Sequence, residues 1–427
     1  MSKKRRYILA SIIVKGGTPL QGTIRISGSK NAALPCLAAS ILTNETVILK
    51  NVPVIEDTKN MLEMMRLMNV KVNISENAVT IKSDNPDFEI PPHLSRRLRG
   101  SILFLGSLLA RCGRVKISGY GGCPIGLRPI DLHLYAFKAL GAKIKQGKDF
   151  IEIAANTLKG AEISFDFPSV GATENAIMAA CVAKGETILK NVAVEPEVLD
   201  LVKMLRSMGA DIKVNSKRRE IRVTGTKEIR GVKHKLIPDR IEAGTYAVAA
   251  VITGGKVTLQ DLNVMHLRRV IKKLLEMGAE ISITSKSSLE IYPSKSPLKN
   301  INVITKPYPG FPTDLQPQFA VLSTQAHGIS QILETIYENR FLYVPELCKM
   351  GAKIDVLDRR IIIKGPTVLY GSEVYAMDIR GGAALVLAGL IAKGSTIINN
   401  AEVIMRGYEK IENKLTEVGA EIEVIKR

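Results

Sequence analysis

A glycine-rich stretch at residues 119–133, GYGGCPIGLRPIDLH, contains the residue types best suited to chemistry. Cys123 stands among glycines, which permit backbone conformations closed to other residues, and Arg128 follows five positions later. A nearby positive charge favours the thiolate, a nucleophile, whereas the neutral thiol can donate a proton. The alternative is an ordinary surface loop that contains a cysteine, since free cysteines are mostly small hydrophobes.

A second candidate site is the stretch ISGSKNAALP at residues 26–35. Lys30 and Asn31 follow a glycine turn at the point where a helix is expected to begin. The free N–H groups of a helix N-terminus, together with a lysine charge, suit an anion. The Walker pattern GxxxxGK[ST] is absent, and a capped helix with a surface lysine remains the commoner meaning of such a stretch.

The second half of the chain combines carboxylates with arginines. Asp314, in the sequence FPTDLQ, is either a carboxylate base or a helix N-cap. Other arginines and acids are candidates for substrate binding, although each alone is most often part of a surface ion pair. These candidates are Arg99, Glu195, Asp239, Arg340, Arg380 and Arg406.

Absent motifs and the spacing of the cysteines argue against several classes of protein. The motifs GxSxG, HExxH and GxGxxG are absent, which argues against a serine hydrolase, a zinc protease and a dinucleotide oxidoreductase. The five cysteines are scattered without a CxxC pair, so we expect no disulfide framework, no metal, no cofactor and a cytoplasmic location. No apolar stretch approaches the roughly 18 residues of a membrane span.

The net charge of +19 is the usual sign of nucleic-acid binding. The basic residues are nevertheless spread along the chain without interleaved aromatics that could stack on bases. We therefore predict a solvated basic surface with some arginines at an anion site, and no nucleic-acid partner. Lys3–Arg6 and the apolar run Tyr7–Val14 resemble a signal peptide, but the run is short, and we interpret it as a first strand.

The chain repeats itself six times. A helix-like segment that ends in Gly-Ala or Asn-Val, followed by an alternating strand, recurs at Asn69 and at five glycines, 141, 209, 278, 351 and 419. A turn before a β-rich stretch recurs in step with it, and both markers recur at intervals of 66 to 73 residues. Each unit reads roughly βαβαββ, which predicts an α/β fold of two domains with three units each. A continuous six-unit solenoid is the alternative.

Nine segments, in order, resemble the enolpyruvyl transferase family, and within it the members that act on UDP-N-acetylglucosamine. The resemblance runs nearly end to end and implies two inside-out α/β barrel domains. It further implies a discontinuous domain of residues 1–29 plus 238–427 around an inserted domain of residues 30–237. The segments are SGSKNAALP, GGCPIGLRPIDLHL, SVGATENAIMAA, EPE, PDRIEAGT, FPTDLQPQF, ETIYENRF, DIRGGAALVLAGL and RGYEKIENKL.

The resemblance also implies a reaction. The enolpyruvyl group of phosphoenolpyruvate would move to the 3-hydroxyl of UDP-N-acetylglucosamine by addition and elimination, releasing phosphate, at the start of peptidoglycan precursor synthesis. Cys123 would be the proton donor, able also to form a covalent adduct, and Asp314 would accept the hydroxyl proton.

The remaining roles are binding roles. Lys30, Arg128 and Arg406 would hold phosphate and carboxylate charge, with Arg99 and Arg340 nearby. Asn31 would contact the acetamido sugar. Further residues would line the nucleotide-sugar site: Pro129, Ile130, Asp131, Leu132, His133, Ser169, Val170, Gly171 and Ile336.

Two departures and three alternatives stand beside this interpretation. Glu56 and Phe167 occupy positions where some family members have lysines, so a phosphate contact and a uracil-side contact are in doubt. The alternatives are a transferase that acts on shikimate, a silent paralogue that serves as a binding scaffold, and an RNA-end-processing relative suggested only by the charge. The first reads GSKS and lacks the loop cysteine, whereas this chain reads GSKN.

Overall fold

The computed structural model describes residues 10–121, 125–126 and 129–426 of the chain. The predicted first strand is confirmed from Ala10 onward, and its first three residues, from Tyr7, lie outside the described residues. The strands of the described residues, in chain order, are β1 Ala10–Lys15, β2 Gln21–Arg25, β3 Val47–Lys50, β4 Lys71–Ser75, β5 Ala78–Lys82, β6 Glu89–Ile90, β7 Arg114–Ile117, β8 Lys143–Gln146, β9 Ile151–Ala154, β10 Glu162–Ser164, β11 Glu186–Lys190, β12 Asp211–Asn215, β13 Glu220–Thr224, β14 Lys233–Lys235, β15 Lys256–Gln260, β16 Glu280–Ser285, β17 Ser288–Tyr292, β18 Asn302–Ile304, β19 Gly328–Leu333, β20 Lys353–Leu357, β21 Arg360–Gly365, β22 Glu373–Tyr375, β23 Ser395–Asn399 and β24 Glu421–Lys426.

The α-helices alternate with these strands. Within the same residues they are α1 Lys30–Ala39, α2 Glu56–Leu67, α3 Pro92–Ser95, α4 Phe104–Cys112, α5 Asp131–Ala139, α6 Val170–Ala180, α7 Pro196–Ser207, α8 Arg240–Ile252, α9 Arg268–Glu276, α10 Gln316–Ser323, α11 Val344–Lys349, α12 Ile379–Ile391 and α13 Ile411–Thr416.

The six-fold repeat is confirmed by six four-stranded sheets in the described residues, all of one pattern. In each sheet one edge pair is parallel and the other two pairs are antiparallel. The sheets are β14-β3-β5-β4, β6-β7-β9-β8, β10-β11-β13-β12, β16-β17-β15-β2, β18-β19-β21-β20 and β22-β23-β1-β24.

The first repeat marker has a clear conformational basis. Asn69 has φ 61°, and the five equivalent glycines have φ between 92° and 101°. This left-handed conformation, which glycine and asparagine tolerate best, reverses the chain after a helix so that a strand can follow. Each helix ends two or three residues before the marker, and each strand begins two residues after it, as at α2 and β4.

The described residues fall into two compact units. The first unit contains residues 10–27, 125–126 and 238–426, and the second contains residues 28–121 and 129–237. In the first unit the sequence repeat is completed by the chain's own start, because β1 pairs with both β23 and β24 and β2 pairs with β15. The predicted domain boundaries, after residues 29 and 237, stay a prediction about independently folding parts.

The helices α8, α10 and α12 pack against one another in the first unit and are buried along most of their length. A helix that is apolar on all sides must be enclosed, and here sheets enclose it. In the second unit α4 packs against α1 and α6. Polar side chains on these inner helices therefore need partners inside the unit. Among the described residues no helix is both long enough and apolar enough to cross a membrane.

Candidate active site

Asp314 lies in a short 3₁₀ turn, Thr313–Leu315, that leads into α10. Its Oδ1 accepts a hydrogen bond from Arg340 Nη2 at 3.0 Å. Its Oδ2 accepts from Arg380 Nε at 3.2 Å and from Arg380 Nη2 at 3.1 Å. The carboxylate is thus held by two guanidiniums, and neither the turn nor α10 has a side-chain cap hydrogen bond.

The two arginines are buried, unlike the residues of ordinary surface ion pairs. The side chains of Arg340 and Arg380 are 2% and 4% exposed, whereas that of Asp314 is 26% exposed. Burial lowers the pKa of Arg340, but the negative charges of Asp314, Asp378 and Glu334 together raise it by more. The net pKa therefore lies above its usual value. Both arginines therefore stay cationic and fix a carboxylate that solvent can still reach.

Glu334 is fully buried and was not predicted from the sequence. Its Oε2 accepts from Thr313 Oγ1 at 2.9 Å, and its Oε1 accepts from the backbone N–H groups of Ile336 and Tyr337 at 2.8 and 3.2 Å. It therefore ties the turn of Asp314 to the segment that contains Ile336. Glu334 is the first residue of the motif ETIYENRF, but nothing in the spacing of that motif indicates a role for this glutamate.

Asp239 and Asp378 cap the inner helices. Asp239 precedes α8 and accepts from the N–H groups of Ile241 and Glu242 at 2.8 and 3.0 Å. Asp378 precedes α12 and accepts in the same way from Arg380 N at 3.0 Å. The structure gives Asp239 a capping role at 4% exposure, and a substrate contact for it stays a prediction.

Arg406 is the last residue of the 3₁₀ segment Ala401–Arg406, and it is half-buried. Two residues later Tyr408 is 1% exposed and hydrogen-bonds within the interior of the first unit. This brings Arg406 onto the same unit as Asp314, Arg340 and Arg380.

In the second unit, Lys30 is the first residue of α1, as the sequence predicts, and Ser29 is its N-cap, accepting from Ala32 N at 3.3 Å. Lys30 Nζ lies 2.9 Å from Oδ2 of Asp57, a residue that the sequence did not single out. The helix N-terminus and the lysine charge are thus both present, and the half-buried Asn31 follows them.

The predicted loop is described only in part. Cys123 and Arg128 lie outside the described residues. Tyr120 lies on the described part, and the guanidinium of Arg99 is 4.8 Å from the centroid of its ring. Ile125 is buried, and its carbonyl accepts from Asn339 N at 2.9 Å within the first unit.

Residues after the loop meet the SVGAT segment in the second unit. His133 Nδ1 lies 2.9 Å from Asn175 Nδ2. Because an amide nitrogen can only donate, Nδ1 accepts and the proton of a neutral ring resides on Nε2. A side chain at Gly171 would approach His133 Cε1 to 3.1 Å, so the glycine makes room for the ring. The structure thus brings together His133 and Gly171, two of the predicted nucleotide-sugar residues.

The other predicted residues of this set, apart from Ile336, lie at or just before the starts of the same two helices. Pro129 is exposed, Ile130 is buried, and α5 begins at the exposed Asp131 followed by Leu132. Ser169 is the N-cap of α6 and Val170 is its first residue.

Glu195 immediately precedes α7 and is 9% exposed. It belongs to a buried acidic group with Glu197 and Glu174, the last of which the sequence did not single out. Burial raises the pKa of Glu174 well above its usual value, and the charges of Glu197 and Glu195 raise it further. The buried surroundings therefore favour the neutral, protonated form of Glu174 over its carboxylate.

Histidines that are isolated along the sequence gain neighbours in the fold. Donor atoms of Cys36, Asp200 and His234, all buried, lie within 4.8 Å of one another. Both carboxylate oxygens of Asp200 are already engaged, by His234 Nε2 at 3.1 Å and by Ile237 N at 3.3 Å. We interpret this group as a hydrogen-bonded core cluster.

The comparisons with known proteins agree with this architecture. Residues 14–415 match the family model described as EPSP synthase (3-phosphoshikimate 1-carboxyvinyltransferase). UDP-N-acetylglucosamine 1-carboxyvinyltransferase 2 of Carboxydothermus hydrogenoformans is 48% identical over 97% of this chain and 99% of its own length. UDP-N-acetylglucosamine 1-carboxyvinyltransferase 1 of Caldanaerobacter subterraneus subsp. tengcongensis is 47% identical over 96% and 98%.

Solved structures share the fold. The enolpyruvyl transferase NikO from Streptomyces tendae superimposes with a TM-score of 0.90 at 26% identity, covering 98% of this chain and all of that one. EPSP synthase from Acinetobacter baumannii superimposes with a TM-score of 0.77 at 20% identity over 98% of this chain and all of its own. The six-sheet α/β architecture is therefore the enolpyruvyl transferase fold.

Proposed function

The chain belongs to the EPSP synthase family of carboxyvinyl transferases, and from that premise we propose which acceptor it uses. It transfers the enolpyruvyl group of phosphoenolpyruvate to the 3-hydroxyl of UDP-N-acetylglucosamine and releases phosphate, the reaction that begins peptidoglycan precursor synthesis. The observation that carries the acceptor is the 46–48% identity, over nearly the whole chain, to four relatives named for it. The likeness to the EPSP synthase structures, at 20% identity, supports the fold alone.

Asp314 is proposed as the base of this reaction. Its carboxylate is half-buried, and the buried Arg340 and Arg380 fix its direction. A general base must be held within hydrogen-bonding distance of the proton that it takes. As the sugar oxygen attacks C2 of phosphoenolpyruvate, Asp314 accepts the hydroxyl proton.

Cys123, outside the described residues, is proposed as the acid. It donates a proton to the methylene carbon C3 while C2 accepts the sugar oxygen, which gives a tetrahedral intermediate. Elimination then moves a proton from C3 back to the thiolate of Cys123 and breaks the bond from C2 to the phosphate oxygen, which leaves the enolpyruvyl ether and free phosphate. A thiol with a pKa near 8.5 is protonated at neutral pH and is therefore a suitable donor.

Cations are needed because both substrates are polyanions. Lys30, Arg128 and Arg406 are proposed to hold the phosphate and carboxylate charges, with Arg99 and Arg340 in support. Preorganised positive groups stabilise charge that moves during the reaction. The start of α1 supports this role for Lys30, because its free N–H groups add positive potential.

The nucleotide sugar is proposed to contact the second unit. Asn31 would bind the acetamido group, the segments 129–133 and 169–171 would contact the nucleotide, and Ile336 is proposed as a further substrate contact. The proximity of Gly171 to His133 supports this grouping. Arg380, Glu195 and Asp239 are buried, and we propose that they act on the substrates through the residues that they orient.

Glu56 and Phe167 are the two positions that depart from the family pattern. Glu56 lies 2.7 Å from Lys59 on an exposed face of α2, and Phe167 is 43% exposed. Both belong to the second unit, whereas Asp314 and the arginines that hold it belong to the first. We propose that they alter substrate affinity and leave the chemical steps unchanged.

A cytoplasmic location is part of the proposal. The four described cysteines, Cys36, Cys112, Cys181 and Cys348, are free thiols. Free thiols, two of them exposed, suit a reducing compartment.

Release of phosphate from phosphoenolpyruvate tests the function. UDP-N-acetylglucosamine and shikimate 3-phosphate are offered separately to the full chain, with circular dichroism to confirm folding. Release with the nucleotide sugar alone is the expected result. Release with shikimate 3-phosphate alone would select the shikimate-type transferase, and release with neither would select the silent scaffold.

A further inference from the structure

Tyr408 is the centre of a buried hydrogen-bond network in the first unit. Its hydroxyl lies 3.0 Å from Thr245 Oγ1 on α8 and 3.1 Å from Gln318 Nε2 on α10. The Thr245 hydroxyl donates its own proton to the carbonyl of Ile241 at 2.9 Å. Gln318 Nε2 can only donate, so Tyr408 accepts from Gln318 and donates to Thr245. Burial raises the pKa of Tyr408, so its hydroxyl keeps the proton that this arrangement requires.

The ring of Tyr408 also contacts the group that holds Asp314. Cζ of the buried Arg380 lies 5.2 Å from the ring centroid. A guanidinium over an aromatic ring is attracted to its electron-rich face, most strongly where water is excluded. The same guanidinium donates twice to Asp314 Oδ2. Tyr408 thus restrains one of the two cations that orient the carboxylate.

Tyr408 is in addition two residues from Arg406. Gly407, between them, is buried so closely against α12 that a Cβ there would lie 2.5 Å from Ile379 Cγ2. The backbone of this turn therefore has little freedom to shift, and the bonds of the Tyr408 hydroxyl to α8 and α10 fix its end. A displacement of Tyr408 would move Arg406 as well.

We propose that Tyr408 is a positioning residue, which fixes Arg380 behind Asp314 and anchors the turn that presents Arg406. This inference rests on the proposed function for its kinetic consequence. Its structural consequence, the restraint of the Arg380 guanidinium, does not depend on the function.

The test compares Tyr408→Phe with Tyr246→Phe in the full chain. Tyr246 is a matched control because it is also fully buried, next to Thr245 on α8, and its hydroxyl has no hydrogen-bond partner within the described residues. Tyr408→Phe is expected to lower kcat about tenfold, the effect of losing hydrogen bonds of ordinary strength, with KM for UDP-N-acetylglucosamine unchanged. Tyr246→Phe is expected to retain the wild-type kcat.

A second readout is independent of activity. In ¹⁵N-arginine-labelled protein the Nε–H of Arg380, assigned with Arg380→Lys, is expected to exchange slowly with solvent because it is buried on Asp314. The exchange should be about tenfold faster in Tyr408→Phe and unchanged in Tyr246→Phe. Equal exchange in wild type and Tyr408→Phe would overturn the inference, whether or not the wild type releases phosphate. Faster exchange with no phosphate release by the wild type would reject the proposed function alone.

Thr245→Val gives a further check on the network. It removes the acceptor of the Tyr408 proton and is expected to lower kcat in the same direction. The double variant with Tyr408→Phe should lose no more than the single Tyr408→Phe, since both changes break one shared bond. Fully additive losses would contradict the arrangement.

Discussion

Lys30 and Asp57 form an ion pair that is almost sealed from solvent, with Nζ and Oδ2 2.9 Å apart and side chains 12% and 3% exposed. The lysine that we assign to substrate phosphate is therefore already partly neutralised. An ammonium has three donors, so it can serve Asp57 and an incoming phosphate together. Asp57 keeps the amine in place at the start of α1 between turnovers.

Lys30→Met is expected to destabilise the protein by about 3 kcal/mol, because it leaves the Asp57 carboxylate buried without its cation. The double variant Lys30→Met, Asp57→Asn should regain most of that free energy of unfolding but release no phosphate. Urea unfolding and the phosphate-release assay separate the two effects. Wild-type activity in the double variant would remove Lys30 from the substrate site.

Asp314→Asn keeps the size and one acceptor oxygen of the side chain but removes the base. A positioned general base contributes about 100-fold or more to a rate, so kcat is expected to fall by at least about that factor. Asp261→Asn is the matched control, since Asp261 belongs to the same unit and pairs with Arg25 on the surface at 2.9 Å. Steady-state kinetics on both variants provide the measurement, and equal rates for the two would contradict the role of Asp314.

Much of the fold follows from the sequence because the repeat is carried by backbone requirements. The backbone has a positive φ at Asn69 and at the five equivalent glycines. Glycine and asparagine tolerate this conformation best, so the residue types reveal the repeat in the sequence. The pairing of β1 with β23 and β24 cannot be predicted in this way, since it joins residues 380 to 416 positions apart whose alternating pattern would suit any sheet.

The candidate site divides in the same way. Asp314, Arg340 and Arg380 are recognisable as chemistry-bearing residues, but their mutual contacts depend on tertiary packing. Asp57, Glu334 and Tyr408 escape detection because a buried acid or phenol looks like any other until its partners are known. Burial of charge is a property of the assembled unit, and the sequence lists only the charges.

Glu242 makes the stability of the protein depend on pH. Burial raises its pKa from 4.5 to about 7, an effect that Lys414, at 2.7 Å, only partly offsets. The folded state therefore binds the proton more tightly than the unfolded chain. The resulting stabilisation is complete below pH about 4.5 and is lost as the pH rises through about 7, a change of roughly 3 kcal/mol.

Glu242→Gln is expected to reduce the fall in unfolding free energy across this window, as measured by urea unfolding at a series of pH values. Glu174, whose pKa is also raised, contributes a slope of the same sign that remains in the variant. Glu421→Gln, which alters an exposed pair with Lys15, serves as the control and should retain the wild-type slope. An identical slope in Glu242→Gln and wild type would contradict this assignment.

A thiol-directed epoxide such as fosfomycin is expected to label Cys123 alone. Burial raises the pKa of each of the other four cysteines, so little thiolate is available there. Cys123→Asp should keep an acid at that position and escape the label. Peptide mapping by mass spectrometry checks the site, and equal labelling of wild type and variant would reject the assignment.

The identity of the product decides which acceptor the enzyme uses. The full chain is incubated with phosphoenolpyruvate and UDP-N-acetylglucosamine in D₂O, and the product is analysed by NMR and mass spectrometry. We expect an enolpyruvyl ether at O3 of the sugar, with deuterium in its vinyl group because C3 is protonated from an exchangeable acid and then deprotonated. Absence of this ether from a folded, substrate-saturated enzyme would contradict the account.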